Sequence, residues 1–212
     1  MMQPTATEPS LIVSPRIYSL ILTSPRLKKM LLPGGLLTSP YEILDYQATL
    51  FLHDPKGIKA TFQRTERIRF LQDGVAGIMD HFWGDGVALT SYRNDAGILK
   101  DSFRDQGRRH LVVSLKRPMG RGEELSFDVV RSAMAGFTEE EEWLETTLDH
   151  PAQHLSRSMV FPKYRPCLSA RLQYEGHAVD LPITVLADGR TSVGFNIQDP
   201  KVCATYTIRW SW

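Results

Sequence analysis

The chain's 212 residues carry 25 lysines and arginines against 24 aspartates and glutamates, a formal net charge of +1. Near-neutrality excludes a global electrostatic case for nucleic acid or for an acidic membrane surface, and the length suffices to bury a substantial core. No run approaches the roughly 20 apolar residues that cross a bilayer as a helix, and Cys167 and Cys203 lie far apart with no Cys-x-x-Cys motif.

In chain order, residues 1–40 come first and differ from the rest. "SPR" at Ser14–Arg16 recurs at Ser24–Arg26, "SP" returns at Ser39–Pro40, and the prolines forbid a long helix. The start "MMQPTATEPS" lacks the basic flank and unbroken apolar core of a secretory signal. A soluble, cytoplasmic chain with two reduced thiols is therefore expected, the alternative being one disulfide in an exported protein. The segment is predicted to be a flexible or extended arm. Its Leu and Ile content exceeds what a solvated linker needs, so it either adds a strand to the body or binds a partner through Tyr18, Leu20 and Leu22.

From Tyr41 onward, short segments and turn signals alternate with a period of about 12 residues. "EILDYQATLFLHD" ends at "DPKG", and "KATFQRTERIRFLQD" follows, with Ile68 and Phe70 alternating against Arg67 and Arg69. "AGIMDHFW" sits between Asp73-Gly74 and Asp85-Gly86, pairs that tolerate positive φ in tight turns. Alternation there sends Ile78, Asp80 and Phe82 to one face and Met79, His81 and Trp83 to the other. "VALTSYR", "RHLVVSLKR" and "ELSFDVVRS" come next. "FTEEEEWLETTL" reads equally as a short helix capped by Thr138, with Glu141 completing a capping box, or as a strand. The remainder, "HLSRSMVFP", "CLSARLQYEG", "AVDLPITVLADG", "RTSVGFNIQDP" and "CATYTIRWSW", is strand-like. Residues 41–212 are thus predicted to form a single mainly β domain, an antiparallel β-sandwich or, as the alternative, a partly open barrel, with at most one or two short helices.

Candidate sites are sparse. Asp73, Asp80 and Asp85 could gather calcium at one end of a sandwich, but the spacing fails an EF-hand loop, and turns plus strand explain the stretch better. His150 and His154 have a helical ligand spacing, which Pro151 interrupts. Asp149-His150 with Ser156 or Ser158 lacks a nucleophile elbow. In "LKRPMGRGEE", Lys116, Arg117 and Arg121 with two glycines form a weak anion-site candidate, without the spacing of any nucleotide fingerprint. Tyr206, Ile208, Trp210 and Trp212 share one strand parity and read as core, while Tyr164 and Trp212 are the aromatics available to a partner.

These observations lead to a non-enzymatic protein-interaction or sensory-accessory module, without a cofactor, binding a protein partner or a second copy of itself. Two alternatives stand behind it. One is a hydrolase-like or small-ligand-binding β domain that uses strand-end Asp and His groups such as His81 and His110. The other is phosphate-rich ligand or nucleic-acid binding through the arginine loops.

Overall fold

The computed structural model describes residues 39–82, 84, 87–105 and 108–212. Among them there is no helix, and so none long and apolar enough to cross a membrane. Fourteen strands run in chain order: β1 (Tyr41–Leu52), β2 (Lys59–Phe70), β3 (Val75–Phe82), β4 (Val87–Asn94), β5 (Gly97–Asp105), β6 (Arg108–Met119), β7 (Glu124–Met134), β8 (Glu141–Thr147), β9 (His154–Phe161), β10 (Ser169–Tyr174), β11 (His177–Asp180), β12 (Thr184–Val185), β13 (Thr191–Gln198) and β14 (Thr205–Ser211).

The strands form three sheets that do not close into a barrel: a seven-stranded sheet ordered β12-β13-β9-β1-β2-β7-β4, a four-stranded sheet β11-β10-β14-β8, and a three-stranded sheet β3-β6-β5. The architecture is mainly β and sandwich-like. One pairing departs from the antiparallel expectation: β1 and β9 run parallel, with Tyr46 opposite Leu155. The roughly one hundred residues between them supply the long return that a parallel pair needs.

Period-2 alternation decides which face is buried. On β2, Ala60, Phe62, Glu66, Ile68 and Phe70 are buried while Gln63, Thr65 and Arg67 are exposed. On β14 the same parity buries Tyr206, Ile208 and Trp210, with Trp212 continuing it just beyond the strand. The inner face of the seven-stranded sheet meets the four-stranded sheet through Phe161 against Trp210 and Trp212, ring centroids 6.0 and 5.9 Å apart, and through Phe195 stacked on Tyr206 at 6.1 Å. The same inner face meets the three-stranded sheet where Asp80 and Phe82 of β3 approach Arg64 and Arg131. One apolar cluster joins residues of all three sheets.

Local chemistry shapes the turns. In "DPKG" the Asp54 carboxylate accepts backbone N–H bonds from Lys56, Ile58 and Lys59. Gly57 there adopts φ +66°, and a Cβ on it would lie 1.5 Å from the Phe137 carbonyl oxygen. Only glycine meets both demands. The acidic run resolves as strand β8, because pairing with β14 from Glu141–Ser211 to Thr147–Thr205 satisfies its backbone. The helix capped by Thr138 with Glu141 is therefore not formed; a different local bond is present, Glu139 N–H donating to Glu142 Oε1 at 2.9 Å. Two further departures concern segmentation. "GILKDSFRD" pairs with β6 as β5, and "AVDLPITVLADG" divides into β11 and β12, which lie in different sheets.

Candidate functional site

Two features of the body stand out chemically: a set of exposed apolar side chains on the 162–168 segment and the β11–β12 connection, and a charged centre buried between sheets.

The strip is built by residues 162–168 and by the connection from β11 through β12. Leu181 N–H donates to Ala170 O, which keeps the chain beside β10 before it crosses to pair Thr184–Val185 with β13. Along this path Val179, Ile183 and Val185 are exposed, Val185 at 72 %. On the 162–168 segment, Tyr164 and Leu168 are 84 % and 68 % exposed. These side chains ride on fixed backbone. Cys167 N–H donates to Thr191 Oγ1 at 2.9 Å, and Leu168 N–H to Ser211 O at 2.8 Å. Arg165 lies over the Trp212 ring at 3.9 Å, and its guanidinium donates to the Pro55 and Glu139 carbonyls.

Of the two aromatics available to a partner, therefore, only Tyr164 reaches solvent. Trp212 is buried, and its Nε1–H is spent on Glu139 O at 2.9 Å. Tyr18, Leu20 and Leu22 lie outside the described residues.

The buried centre lies on the inner face of the seven-stranded sheet. Arg64 of β2 pairs through Nε with Glu66 at 3.1 Å and through a terminal nitrogen with Asp80 of β3 at 2.9 Å. Tyr92 of β4 donates to Asp80 Oδ2 at 3.2 Å, and Asn94 donates to the Tyr92 hydroxyl at 3.1 Å. Beside this network Arg131 of β7 stands 4.2 Å from the centre of the Phe62 ring and 5.0 Å from that of Phe82. Arg157 of β9 stands 4.6 Å from the Phe62 centre.

Environment pushes these groups apart electrostatically. Burial acts to raise the Asp80 carboxyl, yet Arg64, Arg131 and His81 outweigh it and hold Asp80 below the ordinary range. Glu66 is also buried; there burial prevails over Arg64 and the carboxyl is pushed up. Burial lowers the Arg157 guanidinium to about 10, with Tyr46 opposing the shift and Arg131 and Arg64 adding to it.

The residues singled out in the sequence are distributed differently. In the β6–β7 turn, Arg117 makes a two-pronged contact with Glu123 at 3.0 and 2.7 Å, and Arg121 N–H donates to Asp73 Oδ1 at 2.8 Å. The amide and guanidinium groups that would cradle an anion are thus engaged by the chain's own carboxylates, and Lys116 is exposed alongside. Asp73 serves that turn while Asp80 serves the buried centre, so the two are not brought together, and Asp85 lies outside the described residues. Among the described residues no group of three or more His, Cys, Asp and Glu side chains is placed to hold a metal ion.

The histidines also separate. His154 contacts Asp45 and Asn196, His150 Nδ1 lies 2.6 Å from Ser39 Oγ, and His81 faces Asp149 at 3.4 Å and the His110 ring at 6.0 Å. Ser158 Oγ shares a hydrogen bond with Thr49 Oγ1 at 2.7 Å. Cys167 is buried, Cys203 exposed, and neither is bridged.

The charged centre was missed in the sequence, yet it left a signal. Arg64 and Glu66 interrupt the row Ala60, Phe62, Ile68, Phe70; Arg131 continues Phe127 and Val129; Arg157 stands between Leu155 and Met159. Three arginines in core register on three different strands mark an interior charge cluster.

No protein-family model matches the chain, and no curated protein matches it. Solved structures do. An M1 zinc metallopeptidase from Deinococcus radiodurans, bound to a Tyr-Ser-Ala substrate, aligns at TM-score 0.50 and 13 % identity over 80 % of this chain and 42 % of its own. A two-domain M1 zinc metallopeptidase bound to L-arginine aligns at TM-score 0.50 and 12 % identity, over 82 % of this chain and 43 % of its own. A candidate protease from Parabacteroides distasonis aligns at TM-score 0.52 and 9 % identity, over 82 % of this chain and 40 % of its own. The chain spans about two fifths of the length of these structures, and at such identities the likeness is one of fold.

Proposed function

We propose that this β domain is a non-catalytic docking module that receives the apolar surface of a folded protein partner along the strip formed by Tyr164, Leu168, Val179, Ile183 and Val185. The observation that carries this reading is the exposure of these side chains on backbone that is already hydrogen-bonded in place. Contiguous exposed apolar residues cost solubility and are characteristic of interaction surfaces. Side chains held on a rigid frame lose little freedom when covered, so more of the burial energy appears as affinity. β12 is a two-residue edge strand, too short to template extended pairing, which favours side-chain packing over strand addition as the mode of contact.

The structural matches support the same reading from another direction. In each of them the fold occupies a minority of a longer chain. In those proteins the fold stands beside further polypeptide, and in the proposed role the strip is where this domain meets its partner.

The test is site-specific photo-crosslinking of the full chain in extract of its native cells, with the reactive residue at Val185 or, as control, at exposed Gln63. One discrete adduct from position 185, absent from position 63 and lost when Leu168→Asp is added, is the expected result. Equal labelling at both positions, or no discrete adduct, would overturn the proposal. An adduct of twice the chain's mass identifies the partner as a second copy.

A further inference from the structure

We propose that the two guanidinium groups flanking Phe62, those of Arg131 and Arg157, form a receptor for a small oxyanion, a carboxylate or phosphate group. The first argument is the charge count. The centre holds Arg64, Arg131 and Arg157 against Glu66 and Asp80; Arg64 pairs with both carboxylates, and Asp80 acts on Arg131 only from beyond ion-pair distance. Among the described residues neither Arg131 nor Arg157 has a carboxylate within ion-pair distance; each leans on aromatic rings, and Arg157 also meets the Tyr46 hydroxyl. A cation over a ring recovers only part of what a buried ion loses on leaving water.

The second argument is an unused donor. Arg157 is 3 % exposed, and among the described residues its Nε–H has no hydrogen-bond partner. Buried polar atoms are satisfied as a rule, and exceptions point to a group that binds there. Guanidinium donors in a fixed plane match an oxyanion's paired acceptor oxygens better than they match any neutral group present.

Access has a structural basis. Arg131 is only half-buried, and it pairs with Tyr92 on β4, the edge strand of the sheet. The β4–β7 register shifts between Val87 and Ser91, next to that position. Such irregularities at sheet edges redirect side chains and open the ladder locally. The site is separate from the Lys116, Arg117 and Arg121 turn, where the Arg117 guanidinium and the Arg121 amide are met by the chain's own carboxylates.

The experiment is a thermal-shift titration of the full chain at constant ionic strength, with phosphate, sulfate, acetate or benzoate replacing chloride, repeated on Arg131→Met, Arg157→Met and the surface control Arg67→Met. A saturable rise in Tm for one oxyanion class, with half-saturation unchanged in R67M and shifted at least tenfold in R131M and R157M, is expected. Phosphate and sulfate acting together, or acetate and benzoate together, identifies which oxyanion chemistry the site takes. Should either Met variant fail to fold, Arg131→Lys keeps the charge and removes the paired donors, and the same tenfold loss is expected. In the native chain the Arg157 Nε–H resonance should move with the same half-saturation. No saturable shift with any oxyanion, the same response to chloride, or unaltered half-saturation in the arginine variants would overturn the proposal.

Discussion

Replacing Arg64 with Met removes the cation that ion-pairs with two buried carboxylates. Glu66 and Asp80 are each 5 % exposed, and Arg64 ion-pairs with them at 3.1 and 2.9 Å. Stranding a buried charge costs about 3–5 kcal/mol, whereas replacing a whole buried ionic group by well-packed neutral residues is often neutral. For a body of this size, each kcal/mol moves Tm by about 2–4 °C, so Arg64→Met should melt roughly 6–20 °C below the native protein. The triple variant Arg64→Met, Glu66→Leu, Asp80→Asn should recover most of that loss, because the asparagine keeps an oxygen for the His81 N–H that Asp80 Oδ1 now accepts.

The pH dependence carries the sharper test. Asp80 sits below its ordinary value of 3.8 in the native protein, so its contribution is present at neutral pH and is lost as pH falls through its folded value. Glu66 is already raised above 4.5, so it contributes more stability as pH falls. Without Arg64, burial meets less opposition at both carboxyls, with Arg131 and His81 still acting on Asp80, so both shift upward and favour the folded state more at low pH than in the native protein. Urea denaturation at pH 7 and pH 5 should therefore show the Arg64→Met deficit shrinking at pH 5. A deficit below about 1 kcal/mol, typical of a surface ion pair, or one independent of pH, would refute the reasoning.

Three further outcomes are expected. Gly57→Ala and Gly122→Ala both place alanine at positive φ, but only at Gly57 does the new Cβ meet backbone, 1.5 Å from the Phe137 oxygen; Gly57→Ala should cost more than about 1 kcal/mol beyond Gly122→Ala by denaturant midpoint. His154 is raised above its ordinary 6.5 chiefly by its contact with Asp45. Its stabilisation should be complete below pH 6.5 and disappear as pH rises through the folded value, and NMR titration of Asp45→Asn should bring His154 down; an unchanged titration would refute the assignment. Trp212→Ala should lose about 3–5 kcal/mol in calorimetry, since the ring packs on Phe161 and under Arg165 and its Nε1–H bonds Glu139 O.

Strand segments and their buried parity were legible because alternation is local. Ile78, Asp80 and Phe82 face inward together as their spacing requires, and Tyr206, Ile208 and Trp210 do likewise. β5 was not legible, since "GILKDSFRD" carries exposed Ile98 and Leu99 and few residues in core register. Its place comes from pairing with β6. The anion-site candidate in the β6–β7 turn failed to show its partners because Asp73, distant in sequence, supplies one of them.

Taken alone, the sequence determined that residues 41–212 are mainly strands joined by turns, β5 and the helix-or-strand choice at β8 excepted, and which side of most strands is buried, because side-chain direction along an extended chain depends only on parity. Tertiary structure decided which strands became neighbours, including the parallel β1–β9 pair, and which polar residues in core register met. Arg64 finds Asp80 across two sheets, while Arg131 and Arg157 find the rings of Phe62 and Phe82. Such partners are set by the order in which sheets assemble, and a one-dimensional pattern of apolar and polar positions does not encode that order.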